Sequence, residues 1–105
     1  MTNVQELLNA SPAPRVTEDM INSAIESTQF TRFTDTVTLC NITLKNGFSV
    51  RGESACVNAA NYNQTIGEEY AQKDAFKKLW PLFGFWLAQT QYLSNQGTAA
   101  QGVAA

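Results

Sequence analysis

Residues 37–56 read VTLCNITLKNGFSVRGESAC, two runs rich in Val, Thr, Ile and Leu on either side of Asn46-Gly47. Branched aliphatic side chains suit a pleated, half-buried surface. An Asn-Gly pair accepts positive φ at both central positions of a tight type I′ turn. The stretch therefore predicts a β-hairpin. Placing Asn46 and Gly47 at the turn pairs Lys45 with Phe48, Thr43 with Val50 and Leu39 with Ser54. In that register Val37, Leu39, Phe48, Val50 and Cys56 share one face, while Cys40, Ile42 and Leu44 lie opposite Ser49, Arg51 and Glu53 on the other. Neither face is cleanly polar, so helices are expected on one and a partner or ligand on the other. Gly52 reads as a bulge that shifts the alternation beyond it. Cys40 and Cys56 fall on opposite faces, which predicts free, buried thiols.

Working outward, Thr17 opens the first helix. Its hydroxyl can cap a free N–H, Glu18 and Asp19 suit the positive end of the helix dipole, and Val16 and Ile21 have hydrophobic-staple spacing. Met20, Ile21, Ala24 and Ile25 make one apolar stripe, extending the predicted helix to about Thr28. Downstream, Asn58 to Asn63 is turn-rich, with Asn61 or Asn63 as the cap of a second helix over 64–79. Its apolar side is Ala71, Ala75, Phe76 and Leu79. Pro81 ends or kinks that helix and suits the first turn of another, running to about Tyr92. Ser11-Pro12-Ala13-Pro14 closes a flexible arm over 1–15, and the Gly, Ala and Gln of 94–105 read as a disordered tail. The fold class is α+β: a helix, a β-hairpin and a C-terminal helix broken near Pro81, in one domain over 16–93.

Composition narrows the function. The 105 residues carry a net charge of −2 and no histidine. An acidic chain is a poor general binder of duplex phosphates. Without histidine the commonest general base, the usual Ser and Cys triads and the commonest metal ligand are missing. The two cysteines lack zinc-site spacing. These observations predict a binding protein, not an enzyme, with no cofactor and no metal. No segment reaches the roughly 20 apolar residues of a membrane span, and the first residues lack a signal peptide's basic start and apolar run. The expected location is the cytoplasm. Trp80, Phe83, Phe85, Trp86 and Tyr92 bring more aromatic surface to the last helix than so short a chain can bury, which predicts a homo-oligomer.

The run Leu44-Lys45-Asn46-Gly47-Phe48, then Glu53-Ser54-Ala55-Cys56-Val57, Asn61-Tyr62, Ile66-Gly67, Ala71, Ala75 and Lys78-Leu79-Trp80-Pro81-Leu82 with Gly84-Phe85, resembles a family of small tailed-phage and prophage proteins over roughly residues 16–88. The Thoeris anti-defence sponge of the first type looks like a relative. The resemblance implies phage counter-defence by sequestering a cyclic ADP-ribose signal, or a cyclic nucleotide of the CBASS system, without catalysis. The alternative is a phage accessory protein that inhibits a host protein. A sponge of this kind uses an aromatic residue and an asparagine, places that Phe48 and Asn58 fit here. Lys73, Asp74, Phe83 and Trp86 depart from the family's usual types.

Five residues are candidate ligand contacts, each beside a plainer reading. Phe48 can stack on a base or simply pack in the core. Asn58 and Asn61 can bind a base edge or ribose hydroxyl, or form turns and caps. Arg51 can clamp a diphosphate bidentately, or pair with a cross-strand acid. Lys73, with Lys77 and Lys78, can line a phosphate-binding mouth across a two-fold axis, or only be solvated.

Overall fold

The structure, a computed structural model, describes residues 14–96. Most of the arm expected over 1–15, and 97–105 of the expected tail, lie outside the described residues. Residues 94–96, assigned above to the tail, continue the last helix. The order is α1 (Glu18–Ala24), β1 (Ile25–Arg32), β2 (Val37–Leu44), β3 (Ser49–Ala55), a 3-10 turn (Ala59–Asn61), α2 (Gln64–Lys77) and α3 (Leu79–Gln96). The three strands form an antiparallel sheet in the order β1-β2-β3. This is the expected α+β class, with one strand more than the hairpin.

Thr17 caps α1 as its sequence predicts, its Oγ1 accepting from the Met20 N–H at 3.2 Å. The helix stops after seven residues, however, and Ile25 turns into β1. The local stripe Met20-Ile21-Ala24-Ile25 fits a helix, but from Ile25 onward pairing with β2 prevails. Phe30 lies across from Cys40 and Thr28 from Ile42. The Lys45 N–H also takes the Ala24 carbonyl at 2.8 Å, at the place where helical bonding would have continued. The sheet's irregularity falls between Ile25 and Ser27, not at Gly52.

The turn differs from the type I′ expectation. Gly47 has φ +92°, and no non-glycine residue among those described has positive φ. Asn46 therefore cannot occupy a type I′ position. The loop has three residues, with the Leu44 N–H donating to the Phe48 carbonyl at 2.8 Å and the Gly47 N–H to the Leu44 carbonyl at 2.9 Å. This matches a type I turn closed by a left-handed glycine. One added loop residue slips the register by one and exchanges the faces of β3 relative to β2. Thr43 now faces Ser49, Ile42 faces Val50 and Cys40 faces Gly52. The core face is thus Cys40, Ile42, Leu44, Val50 and Gly52. Its reverse, with Leu39, Asn41, Thr43, Ser49, Arg51 and Glu53, is exposed along β1 and β3. Both thiols are free, as expected, but only Cys40 is buried; Cys56, just past the end of β3, is partly exposed. They stand apart along the strands by about 13 Å (four ladder steps of about 3.3 Å) rather than on opposite faces.

Helix α2 lies on the core face, and its contact side is nearly bare: Gly67, Ala71 and Ala75 at four-residue spacing, all buried. Gly52 completes the fit. A Cβ there would lie 2.8 Å from the Ala75 Cα and closer still to the Ala75 nitrogen and the Ala71 oxygen. Gly52 is kept for close approach of a helix backbone, a role that glycine in a strand can fill as readily as a bulge. The fully buried Ile21, Ile42 and Leu79 fill the space beside this contact. Buried Thr38 bonds the Tyr62 hydroxyl at 3.1 Å, and no buried side-chain polar atom of the described residues lacks a partner. Arg32 closes that end of the sheet over the Tyr62 ring, 3.7 Å from its centroid.

α2 ends at Lys77, earlier than the expected residue 79. The cause is Pro81, whose ring clashes with the carbonyl four residues back, that of Lys77. Pro81 itself sits in the first turn of α3, where its missing N–H costs nothing.

Candidate functional site

Three elements meet around a cavity of about 650 Å³ at the hairpin end of the molecule: Met20, Ser23 and Ala24 from α1, Leu44 to Asn46 and Phe48 from the turn, and Leu82, Phe83 and Trp86 from α3. Each wall has a local cause. The Thr17 cap fixes where α1 starts. The left-handed Gly47 turns the chain so that Phe48 follows at once, its N–H held by the Asn46 Oδ1 at 2.9 Å. Leu79, fully buried, anchors the first turn of α3, so Leu82, Phe83 and Trp86 come round beside the hairpin.

The lining is apolar and aromatic with few polar groups. Phe83 and Trp86 meet edge to face at 6.2 Å. Phe48 is 54% exposed and Trp86 51% exposed, although both belong to cavity walls. Ser23 is committed, its hydroxyl donating to the Asp19 carbonyl at 2.5 Å. Lys45 forms no ion pair among the described residues. The cavity thus offers flat rings, one uncommitted ammonium and the Asn46 amide. That set can stack a planar heterocycle and neutralise an anion beside it.

Of the five residues singled out from the sequence, Phe48 lines this cavity. Arg51 points to the reverse face of the sheet, where its Nη1 donates to the Asn41 Oδ1 at 3.3 Å and the Ser49 Oγ at 3.1 Å. Among the described residues it makes no ion pair, so the cross-strand acid pair is not formed. Asn58 caps the 3-10 turn past the far end of β3, accepting from the Ala60 N–H at 2.9 Å. Asn61 ends that turn, and the cap of α2 is Asn63, which accepts from the Ile66 N–H at 3.0 Å. Lys73 pairs with Glu69 at 3.3 Å on the exposed side of α2. The five do not converge within one protomer. Lys45, Asn46, Phe83 and Trp86 were not singled out as ligand contacts. Their signal was present as a turn motif and an aromatic run, but neither hints that the two ends meet.

A second polar cluster joins α2 to β3. The Asp74 Oδ2 accepts the Glu53 N–H at 2.9 Å, and the carboxylate lies 3.6 Å from Lys77 and 3.9 Å from Lys78. The backbone hydrogen bond, helped by both ammonium groups, holds its carboxyl below the usual carboxylate range. The Lys78 Nζ also donates to the Arg51 carbonyl at 2.6 Å. These bonds tie the helix to an edge strand and are read as structural. Burial pushes the Cys40 thiol up. Among the described residues no group of acids and cysteines could hold a metal, and no helix is long and apolar enough to cross a membrane.

Neither the curated proteins nor the solved structures include a match to this chain. The family described as phage protein (N4 Gp49/phage Sf6 gene 66) matches residues 16–91, from the residue before the α1 cap to the fourth turn of α3. That span takes in the whole sheet, α2 and every wall of the cavity, and the chain belongs to this family of phage proteins.

Proposed function

We propose that this phage protein sequesters a cyclic nucleotide or cyclic ADP-ribose immune signal in the cavity between α1, the hairpin turn and α3, and releases it unchanged. The observation that carries the reading is the cavity itself. Its roughly 650 Å³ falls within the range of small-molecule sites, and its walls include two half-exposed aromatic rings, Phe48 and Trp86. Base–aromatic stacking contributes about 1–3 kcal/mol per base. Lys45 provides a charge for a phosphate. A sponge needs affinity and no chemistry, which agrees with a chain that has no histidine. In this reading Arg51, Asn58, Asn61 and Lys73 are not contacts of the same protomer's cavity.

The experiment is a thermal-shift and calorimetric screen of the full chain against cyclic dinucleotides, cyclic trinucleotides and cyclic ADP-ribose isomers. A ligand at a hundredfold its Kd adds about 2.7 kcal/mol, a shift of several degrees for a domain of this size. Phe48→Ala should abolish the shift while leaving the ligand-free Tm within about 2 °C, because Phe48 is exposed rather than packed. A flat response to the whole panel rejects the ligand class. It leaves the other reading, inhibition of a host protein, for which one co-purifying partner is the sign.

A further inference from the structure

The hairpin turn limits what Asn46 can offer a ligand in the cavity. Asn46 and Phe48 close an Asx turn, in which the Asn46 Oδ1 accepts the Phe48 N–H at 2.9 Å. A side-chain amide has one acceptor oxygen and one donor nitrogen. With the oxygen held at the backbone, the amide is fixed in orientation. Its Nδ2 hydrogens have no acceptor among the described residues.

The other lining side chains point the same way. The Lys45 ammonium forms no ion pair among the described residues, and the Trp86 indole N–H, which can only donate, has no acceptor among them. The side-chain acceptors of the lining, by contrast, are engaged. The Asn46 Oδ1 holds Phe48, the Met20 Sδ takes the Thr17 N–H at 3.4 Å, and the Ser23 hydroxyl is turned to the Asp19 carbonyl of its own helix. No aspartate or glutamate lines the cavity. Its free side-chain hydrogen bonding is therefore one-sided, with hydrogens to give beside one positive charge. A charged oxygen is the strongest partner for such a set, because hydrogen bonds to an ionised group are shorter and stronger than neutral ones.

We propose that Asn46 is a specificity-determining residue of this cavity, acting with Lys45 to bind the oxyanion of a phosphate ester whose flat ring lies on Phe48. This rests on the reading of the cavity as a ligand site, and it assigns the turn to the anion rather than to the edge of the ring. Asparagine and aspartate both close an Asx turn. Only asparagine leaves donors there, whereas aspartate would set a carboxylate against the anion.

The test separates charge from stacking with two probes that share one ring, naphthalenesulfonate and naphthylmethylammonium. Their Kd values for the full chain are measured by calorimetry for the wild type, Asn46→Asp and Lys45→Gln. The wild type should bind the sulfonate at least ~10-fold more tightly than the ammonium, a difference of about 1.4 kcal/mol. Asn46→Asp keeps an oxygen for the Phe48 N–H, so its Tm should match that of the wild type while its preference reverses. Lys45→Gln, at an exposed side chain, should weaken the sulfonate at least ~3-fold without weakening the ammonium. A wild type that binds neither probe, or both equally, overturns the proposal. So does either variant that keeps the wild-type preference. The signal screen is a separate outcome: every cyclic nucleotide can fail there while the sulfonate preference and its reversal stand, and one can bind while Asn46→Asp changes nothing.

Discussion

Gly52→Ala is the substitution that examines the helix–sheet contact most directly. The added methyl would lie 2.8 Å from the Ala75 Cα and within closer reach of two backbone atoms of α2. None of these is the end of a flexible side chain. Ordinary contact begins near 3.4 Å, so α2 must withdraw by roughly 1 Å or β3 must bend away. Withdrawal would also loosen Ala71 and Ala75 from Cys40 and Ile42, all of them fully buried. Overpacking of this kind costs about 1–3 kcal/mol and more when the backbone moves. Opposing it is the lower unfolded-state entropy of alanine, about 0.4–1 kcal/mol. The net expectation is a loss of about 2–3 kcal/mol, a large part of the 5–15 kcal/mol that holds a typical domain. For a domain of this size that lowers Tm by about 10–20 °C. Urea unfolding followed by circular dichroism measures it, provided the slope m is unchanged, so that the midpoint reports stability alone. A difference smaller than about 0.5 kcal/mol would refute the close seating of α2 on β3.

Asn63→Ala should cost about 1 kcal/mol in the same assay, and Asn61→Ala much less, because Asn63 carries the α2 cap. Asp74 makes stability depend on acid. Its folded-state pKa is depressed, so its contribution is complete above the unfolded value and is lost as pH falls through the lower folded one. The stability gap between wild type and Asp74→Asn should therefore stay constant from pH 5 to 8 and shrink below about pH 4. A gap that persists at pH 2 would contradict this. A thiol reagent under native conditions should modify the partly exposed Cys56 and spare the buried Cys40 until the protein unfolds. Equal rates at the two would contradict the burial.

The cavity was only half legible in the residues. Phe48 was singled out because a ring directly after a turn is conspicuous, whichever role it plays. Trp86 was noted for its size and assigned to self-association, since nothing within a linear stretch shows that α3 returns to the hairpin. Asn58 was matched by resemblance to a site, and the structure gives it to a local cap. Asn and Ser side chains bond their own backbone so readily that sequence cannot separate this use from recognition.

What the sequence determined by itself is what depends on near neighbours: the start of α1 at Thr17, the reversal at Asn46-Gly47 and the interruption ahead of Pro81. Each rests on one or two residues whose φ preference or hydrogen-bonding groups act within a turn of the chain. The tertiary structure decided that Ile25 to Arg32 would be a strand, because a helix there forgoes pairing with β2. It also decided the register, since type I and type I′ turns draw on the same Asn-Gly pair and differ by one residue. That residue set which side chains α2 buries and left Arg51 on the open face. Gly52 is read correctly only with α2 in place, because the reason for a missing side chain is whatever occupies its space.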